Sequence, residues 1–451
     1  MAREIPLEAV EILTKLQNAG FAAYVVGGCV RDLLLAREPE DWDVATQAKP
    51  EEVQAIFPDN FYENKFFTVT VLTVSKNPKL KEIEVTTFRS DMKYGDRRHP
   101  EEVQYAKTIQ EDLARRDFTM NAIALRLASL AQGKPSYEII DPFEGQKDLK
   151  AKFIRAVGNA DERFQEDALR MMRAVRFVAT LGFTLEEETR LAIEKNSALL
   201  KEISQERIRD ELVKTIMGDG AAAGVEELKE LGLLHYIIPE LLEGVNVSQN
   251  KHHIYNVWEH NLHSLEYAVS KEWGPRVRLA VLLHDVGKPR TKRGDGPGAT
   301  FYNHEVEGAK MTRRILSRLK FSREDTEQIS DLVRYHMFYY NVGEVTESSV
   351  RRLMAKIGSE NMEELLQVRM ADRIGSGVPK AQPYKLRHLR YIIDKVSQDP
   401  ISAKMLKING NNVMELLKVS PGPTVGWVLD ILLGEVLDDP QKNTKEFLET
   451  R

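Results

Sequence analysis

Cysteine is almost absent: Cys29 is the only one in the chain. That excludes an internal disulfide and fits a reducing cytosol. Long apolar runs are missing too. No stretch approaches the roughly 18 consecutive apolar residues of a membrane span. The opening MAREIPLEAVEILTKL mixes charges where a signal peptide would carry an apolar run. These absences predict a cytoplasmic protein with no membrane partner. An excess of one charge is lacking as well, since 64 Lys and Arg oppose 69 Asp and Glu for a net charge of -5. A nucleic-acid partner would therefore need a local basic patch. Neither an internal repeat nor a low-complexity tract is present. What is present is 451 residues of ordinary globular composition, 42% of them apolar. That is too long for one core and enough for two to four domains.

Residues 1 to about 150 read as mixed α and β, and the rest as helix, so the expected class is α+β. LEAVEILTKLQNAG is an amphipathic helix stopped by Gly20. AAYVV is a short buried strand, and GG leads from it into the helix CVRDLLLA. WDVAT reads as a second strand and PEEVQAIF as a helix with Pro in its first turn. FFTVTVLTV and KEIEVTTF alternate as strands do. After YEIIDPF the strand signals almost vanish. Soft boundaries fall at NVSQNK, 246–251, and at GSGVPKAQP, 375–383.

EDWDVAT sets Asp41 and Asp43 two residues apart, a spacing that faces both carboxylates the same way on a strand. Two such groups repel unless a cation lies between them, and Mg2+ suits carboxylates together with substrate phosphates. Alone, the pattern is more often a plain turn before a strand. Upstream, VVGGCVRD places Gly27 and Gly28 between an apolar strand and a helix, where backbone N–H groups can approach a phosphate. Arg31 in the first helical turn can add a charge-assisted bond.

With these segments in order, GGCVRDLLL, DWDVAT, ARRDFTMNAIA, EDALRMMRAVRF and ERIRDEL, the chain resembles the class II tRNA nucleotidyltransferases. These are the CCA-adding enzymes and the bacterial poly(A) polymerases, within the DNA polymerase beta superfamily. The resemblance covers about residues 20–240. It implies a small mixed-sheet nucleotidyltransferase head followed by all-α neck, body and tail. It places the triphosphate at Gly28 and Arg31 with Gly27 assisting, and Mg2+ at Asp41 and Asp43. Arg116 would contact the nucleotide, with Asp117 and Asn121 shaping the site. Glu84 is a candidate third carboxylate or simply a solvated strand residue.

In EDALRMMRAVRF, Asp167, Arg170, Arg173 and Arg176 recur at steps of three. On one helix, capped by Asp161 and ended by Gly182, they form a slanting stripe, while Ala168, Met171, Met172, Ala174, Val175 and Val178 face a core. Most charged stripes are solvated faces. Here Asp167 can neutralise only one or two of the three arginines, and the surplus suits a triphosphate and a base edge. The resemblance makes Asp167 and Arg170 an amino-acid template reading the Watson–Crick edge, with Arg173 and Arg176 toward the phosphates or the tRNA end. The charged segment SDMKYGDRRHPEEV, 90–103, resembles the loop with which complete CCA-adding enzymes switch from C to A. It departs from the usual Asp-Gly-Arg-Arg-Pro, as NKFFTVTV departs from a Phe-Gly-Thr pattern.

Most of the histidines fall between 235 and 336. His284-Asp285 on an apolar helix is costly to bury without a metal or partners. The ordered set His260, His284-Asp285, His304, His336, Asp372 resembles the HD phosphohydrolases. That implies one divalent metal on His260, His284, Asp285 and Asp372, a second site completed by His304 and His336, and Lys288 near a phosphate. His252, His253 and His263 are competing ligands of lower rank.

The expected boundaries are 1–156 for the head, 157–250 for neck and body, 251–375 for the HD domain and 376–451 for a helical tail. The expected function is addition of C, C and A to the tRNA 3′ end from CTP and ATP, with possible hydrolysis at the HD site. The alternatives are A-only addition to tRNA or poly(A) synthesis, a primary HD phosphohydrolase, and a non-catalytic RNA-binding protein.

Overall fold

The computed structural model describes residues 5–63, 67–91, 103–131, 134–250, 254–377 and 384–451. The chain forms two compact units, Met1–Ile237 and Ile238–Arg451.

The first unit opens with the helix Leu7–Asn18, which buries Ala9, Val10, Ile12, Leu13 and Leu16. Strands β1 (Ala23–Val26), β2 (Asp43–Thr46), β3 (Asn60–Glu63), β4 (Thr68–Leu72) and β5 (Glu82–Thr87) follow. β6 (Arg89–Asp91) and β7 (Val103–Tyr105) pair as a separate ribbon. β8 (Ala124–Ala131) and β9 (Lys134–Ile140) complete a seven-stranded sheet of order β3-β4-β5-β2-β1-β8-β9. Within this sheet only the β2–β5 pair is parallel. β1 sits inside the sheet and all four of its residues are buried, which is why AYVV does not alternate. β5 does alternate: Ile83, Val85 and Thr87 are buried while Glu82 and Glu84 are exposed. The parallel register sets Asp43 opposite Glu84, so both carboxylates share the open face.

Beyond the sheet this unit is helical, with Ala160–Glu166, Leu169–Leu181, Glu187–Asn196, Gln205–Met217 and Ala221–Glu230. The helix expected to run through EDALRMMRAVRF is interrupted. Asp167 is extended (φ -146, ψ 103), and its Oδ1 accepts the Leu169 N–H at 3.0 Å. Asp167 therefore serves the start of Leu169–Leu181 rather than lying within a continuous helix. Short acidic side chains compete for backbone N–H groups in this way, and residue spacing does not register it. Asn159, not Asp161, caps the first segment by accepting from Glu162 N–H. Asp161 instead accepts from Lys195 and Asn196. Gly182, at φ 68, ends the second segment as its position suggests.

The second unit is built around Pro275–Leu283, a helix whose residues Val277 to Leu283 are all buried. Val257–Ser270, Arg323–Tyr335 and Met362–Gly375 pack against it. Gly375 permits one of these contacts. A Cβ there would lie 2.0 Å from Ser264 Oγ, so Met362–Gly375 and Val257–Ser270 approach closer than any side chain allows. The last helices have their own small core of Leu406, Ile408, Val413, Leu432, Val436 and Leu448. Among the described residues no helix is long and apolar enough to cross a membrane.

Candidate active site and candidate metal centre

A cleft of about 1060 Å³ in the first unit is lined by the open sheet face, the β1–helix turn and the arginine-bearing helix. β1 runs directly into Gly27, whose φ of +80 suits glycine. A Cβ there would stand 2.8 Å from Arg116 Nη1 and 3.4 Å from Asp43 Oδ2. Glycine thus keeps the cleft floor open between a guanidinium and a carboxylate. Gly28 begins the helix Gly28–Leu34. Asp43 is the first residue of β2, but Asp41 lies in the turn before it, not on the strand as its spacing suggested. Burial, then the neighbouring Asp41 and Glu84, push the Asp43 carboxyl up to about 7 despite Arg116. Three hard-oxygen donors repelling one another are a donor set that fits a divalent cation.

The arginines are held by carboxylates, Arg31 by its own neighbour and Arg173 and Arg176 by residues of other segments. Arg31 pairs with Asp32 at 2.9 Å and donates to Asn121 Oδ1 at 3.0 Å. Asn121 Nδ2 in turn donates to Asp117 Oδ1 at 3.0 Å, and Arg173 reaches Asp117 Oδ2 at 2.7 Å. Burial alone would raise the Asp117 carboxyl, but Arg173 and Asn121 outweigh it and hold it well below the usual range. Arg170 donates to Glu166 at 2.9 Å and to the Arg115 carbonyl at 3.1 Å, and Arg176 lies 3.3 Å from Glu211. Asp167 pairs with Arg207 at 2.7 Å. The stripe arginines are therefore not shared out around Asp167, because each finds its own carboxylate across a helix or loop contact. The Phe177 ring lies within 5.1, 5.9 and 4.7 Å of the guanidinium carbons of Arg31, Arg173 and Arg176 and gathers them by cation–π attraction.

Arg207, Glu211, Asp112 and Phe177 were not singled out from the sequence. Arg207 and Glu211 stand one helical turn apart in ERIRDEL, a spacing that could have flagged a second charged face. Asp112 pairs with both Arg115 and Arg116, which lie three and four residues on. The switching-loop segment lies mostly outside the described residues, at 92–102, as do His252 and His253.

In the second unit His260, His284, Asp285, His304, His336 and Asp372 converge in the interior. His260 Nε2 lies 3.3 Å from both Asp285 Oδ2 and Asp372 Oδ1, and His284 Nε2 lies 3.3 Å from Asp285 Oδ2. His304 and His336 Nε2 face the other oxygen, Asp285 Oδ1, at 3.5 and 3.9 Å. His284, His304 and His336 each present Nδ1 at 2.7 Å to the carbonyl three residues earlier, at Val281, Phe301 and Val333. At His304 and His336 that contact assigns the ring proton to Nδ1 and leaves Nε2 as a lone pair aimed inward. The buried Nε2 atoms of His304 and His336 make no hydrogen bond among the described residues. Burial works against charging His284, yet Asp285 and Asp372 lift it to about 10; His336, buried beside His284, falls to about 3. Two groups of ligand atoms, His260–His284–Asp285 and Asp285–His304–His336, lie each within 4.8 Å, a reach suited to a metal ion. Lys288 Nζ sits 2.5 Å from Asp285 Oδ2 and donates to Gln249 Oε1 at 2.7 Å. His263 is not in the cluster and pairs with Glu266.

Three family descriptions match the chain. "Poly A polymerase head domain" covers residues 23–155, "Probable RNA and SrmB- binding site of polymerase A" covers 182–244, and "HD domain" covers 257–376. A CCA-adding enzyme of Lactobacillus delbrueckii subsp. bulgaricus is 48% identical over 231 residues, 51% of this chain. That alignment spans about half of the relative, 55% of its length. A CCA-adding enzyme of Geobacillus sp. (strain WCH70) is 34% identical over 441 residues, 97% of this chain and 94% of the relative. The crystal structure of the Bacillus stearothermophilus CCA-adding enzyme in complex with CTP superposes with a TM-score of 0.71 at 31% identity, covering 98% of this chain and 95% of that one. With the sheet, the carboxylate-bearing cleft and near full-length similarity in agreement, the chain belongs to the CCA-adding enzyme family.

Proposed function

We propose that this chain adds C, C and A to the 3′ end of tRNA, using CTP and then ATP and releasing pyrophosphate. The observation that carries the reading is the cleft itself. Its walls carry eight arginines and one lysine against six carboxylates, and the crowded Asp43 and Glu84 share its sheet face with Asp41 nearby. The tRNA 3′-hydroxyl would attack the α-phosphate, and the bond to the β-phosphate would break. Asp41 and Asp43, with Glu84 as a third donor, would hold Mg2+, which when bound stabilises charge on the attacking and leaving oxygens. Gly27 and Gly28 admit the triphosphate close to the backbone, and Arg31 and Arg116 face it as cations. Asp167 and Arg170 supply the acceptor and donors for a base edge, with Arg207 fixing Asp167 and Glu166 fixing Arg170. Arg173 and Arg176 act mainly by holding Asp117 and Glu211 at the wall toward the phosphates.

The proposed organisation is a head at 1–156, neck and body at 157–250 for nucleotide selection and tRNA binding, an HD domain at 251–375 and a tail at 376–451. The proposed location is the cytoplasm, consistent with one buried free cysteine. Labelled tRNA ending at its discriminator base tests the reading. Two additions with CTP and a third only with ATP are expected. One A on tRNA already ending in CC, with no use of CTP, would make it an A-adding enzyme.

A second activity is supported by the inward Nε2 atoms of the histidine cluster. We infer that His260, His284, Asp285 and Asp372 hold one divalent metal, with His304 and His336 around the other Asp285 oxygen for a second. The site would be a metal-dependent phosphohydrolase, with Lys288 as a cation for the phosphate.

A further inference from the structure

Beside the histidine cluster lies a second cavity, of about 870 Å³, whose lining includes His304, Asp372 and Lys288. Its wall carries Tyr302 and Tyr340, and Lys385 at the start of the helix Tyr384–Val396 also borders it. That helix places Tyr384, His388 and Tyr391 at spacings of four and three, on one face. His388 accepts or donates a hydrogen bond with the Tyr340 hydroxyl, and its ring centroid lies 6.1, 6.0 and 6.2 Å from those of Tyr340, Tyr384 and Tyr391. Four aromatic rings therefore run from the cavity wall outward along the helix.

Tyr340 and His388 are half-buried, and the outer rings, with Tyr302 on the cavity wall, are not buried as core aromatics would be. Tyr302, Tyr384 and Tyr391 are 74%, 62% and 63% exposed. Leaving that much aromatic surface in water forgoes burial, so a face of this kind fits a planar ligand. Cations interleave with the rings. The cavity lining carries Lys288, Arg369, Arg373 and Lys385 against Glu305 and Asp372. Arg369 and Arg390 pair with Asp372 and Glu363, while among the described residues the exposed Arg373 and Arg387 side chains have no carboxylate partner. Exposed aromatics alternating with unpaired arginines form the combination that holds single-stranded nucleic acid, stacking on bases and attracting phosphates. A duplex arm could not use it, since its bases are already stacked and its groove hides their faces.

We propose that Tyr340, Tyr384, His388 and Tyr391, with Arg373 and Arg387, form a stacking track for a single-stranded RNA 3′ end, leading it into the cavity beside the histidine cluster. The track shares no residue with the nucleotide cleft. The choice of RNA rests on the tRNA-directed reading above, but no step of hydrolysis is required. The test uses the full chain and a six-nucleotide RNA with 4-thiouridine at its 3′-hydroxyl end, crosslinked by near-ultraviolet light and mapped by peptide mass. Adducts are expected in the peptides that carry Tyr340 and Tyr384 to Tyr391. Tyr384→Ala and Tyr391→Ala should each lower their yield about tenfold, while Tyr384→Phe and Tyr391→Phe keep it. Adducts confined to residues 1–237, equal labelling by a blunt duplex, or alanine variants that crosslink like the parent would overturn the track. CTP addition to tRNA, assayed on the same preparation, separates failure of the track from failure of the tRNA reading.

Discussion

The nucleotide cleft and the histidine cluster both gather charge, and they neutralise it in opposite ways. In the cleft Arg31, Arg170, Arg173 and Arg176 have carboxylate partners at 2.9, 2.9, 2.7 and 3.3 Å, supplied by Asp32, Glu166, Asp117 and Glu211. In the cluster His304 and His336 turn buried Nε2 atoms toward Asp285 at 3.5 and 3.9 Å, too far for hydrogen bonds. An open cleft whose arginines are already paired can exchange partners when a nucleotide enters and recover them when it leaves. A buried cluster with inward lone pairs on His304 and His336 is suited to a group that stays, because unsatisfied buried polar atoms are costly. The difference separates arginines whose partners can be exchanged from buried imidazoles whose Nε2 atoms call for a lasting partner.

The largest way to break this comparison is Asp43→Ala. It removes the carboxylate that Asp41 and Glu84 crowd, and single-turnover addition of C to tRNA should fall by about 10³-fold or more. Far-ultraviolet circular dichroism should stay unchanged, since Asp43 is at a strand end rather than in a core. A fall below tenfold would remove the dyad from the chemistry. Next in size is Asp285→Ala, which takes away the one carboxylate that every imidazole of the cluster faces. Metal retained after gel filtration, measured by mass spectrometry, should drop to background, while addition of C by the cleft persists. Full metal content in that variant would mean the ligands lie elsewhere.

A smaller effect sharpens the picture of the cleft. Asp167→Ala should reduce discrimination of CTP against UTP by about 10- to 100-fold, the scale expected when a site loses a hydrogen bond to a base edge. Arg207→Ala should reproduce part of that loss by releasing Asp167 from its 2.7 Å partner. An Arg207→Ala enzyme with the parent's selectivity would show that Asp167 holds its place through the Leu169 N–H alone.

Much of this cleft could be read before its structure. The apolar run AYVV, the Gly27-Gly28 turn and the alternation of KEIEVTTF located β1, the turn into the helix Gly28–Leu34 and the open face of Glu84, because these depend on local periodicity and glycine geometry. The helix break at Asp167 could not be read, since both flanking segments keep helical spacing. Nor could the partners of the arginines. Arg173 meets Asp117 and Asp167 meets Arg207 across 56 and 40 residues, and long-range pairing leaves no mark on local sequence. Phe177 was not singled out, yet its ring is what three guanidiniums share.

The smallest predicted effect tests whether that hidden pairing matters. Asp117→Asn keeps an oxygen for the Phe118 N–H but leaves Arg173 without its carboxylate. Asp117 titrates below its ordinary 3.8 in the folded chain. Its contribution is therefore complete above about pH 5 and is lost as pH falls from there through the folded value. Urea unfolding at pH 7 should show the variant less stable by about 2 kcal/mol. The gap should narrow as the pH is lowered from about 5 toward about 3.5, where the parent begins to lose the same interaction. A gap that stays constant with pH would assign the loss to shape rather than charge. Because Asp117 also fixes Asn121, and Asn121 accepts from Arg31, CTP affinity should weaken severalfold in the same variant. Weakened CTP binding at an unchanged unfolding midpoint would make this chain of contacts a device for placing Arg31 rather than for holding the head to the helices.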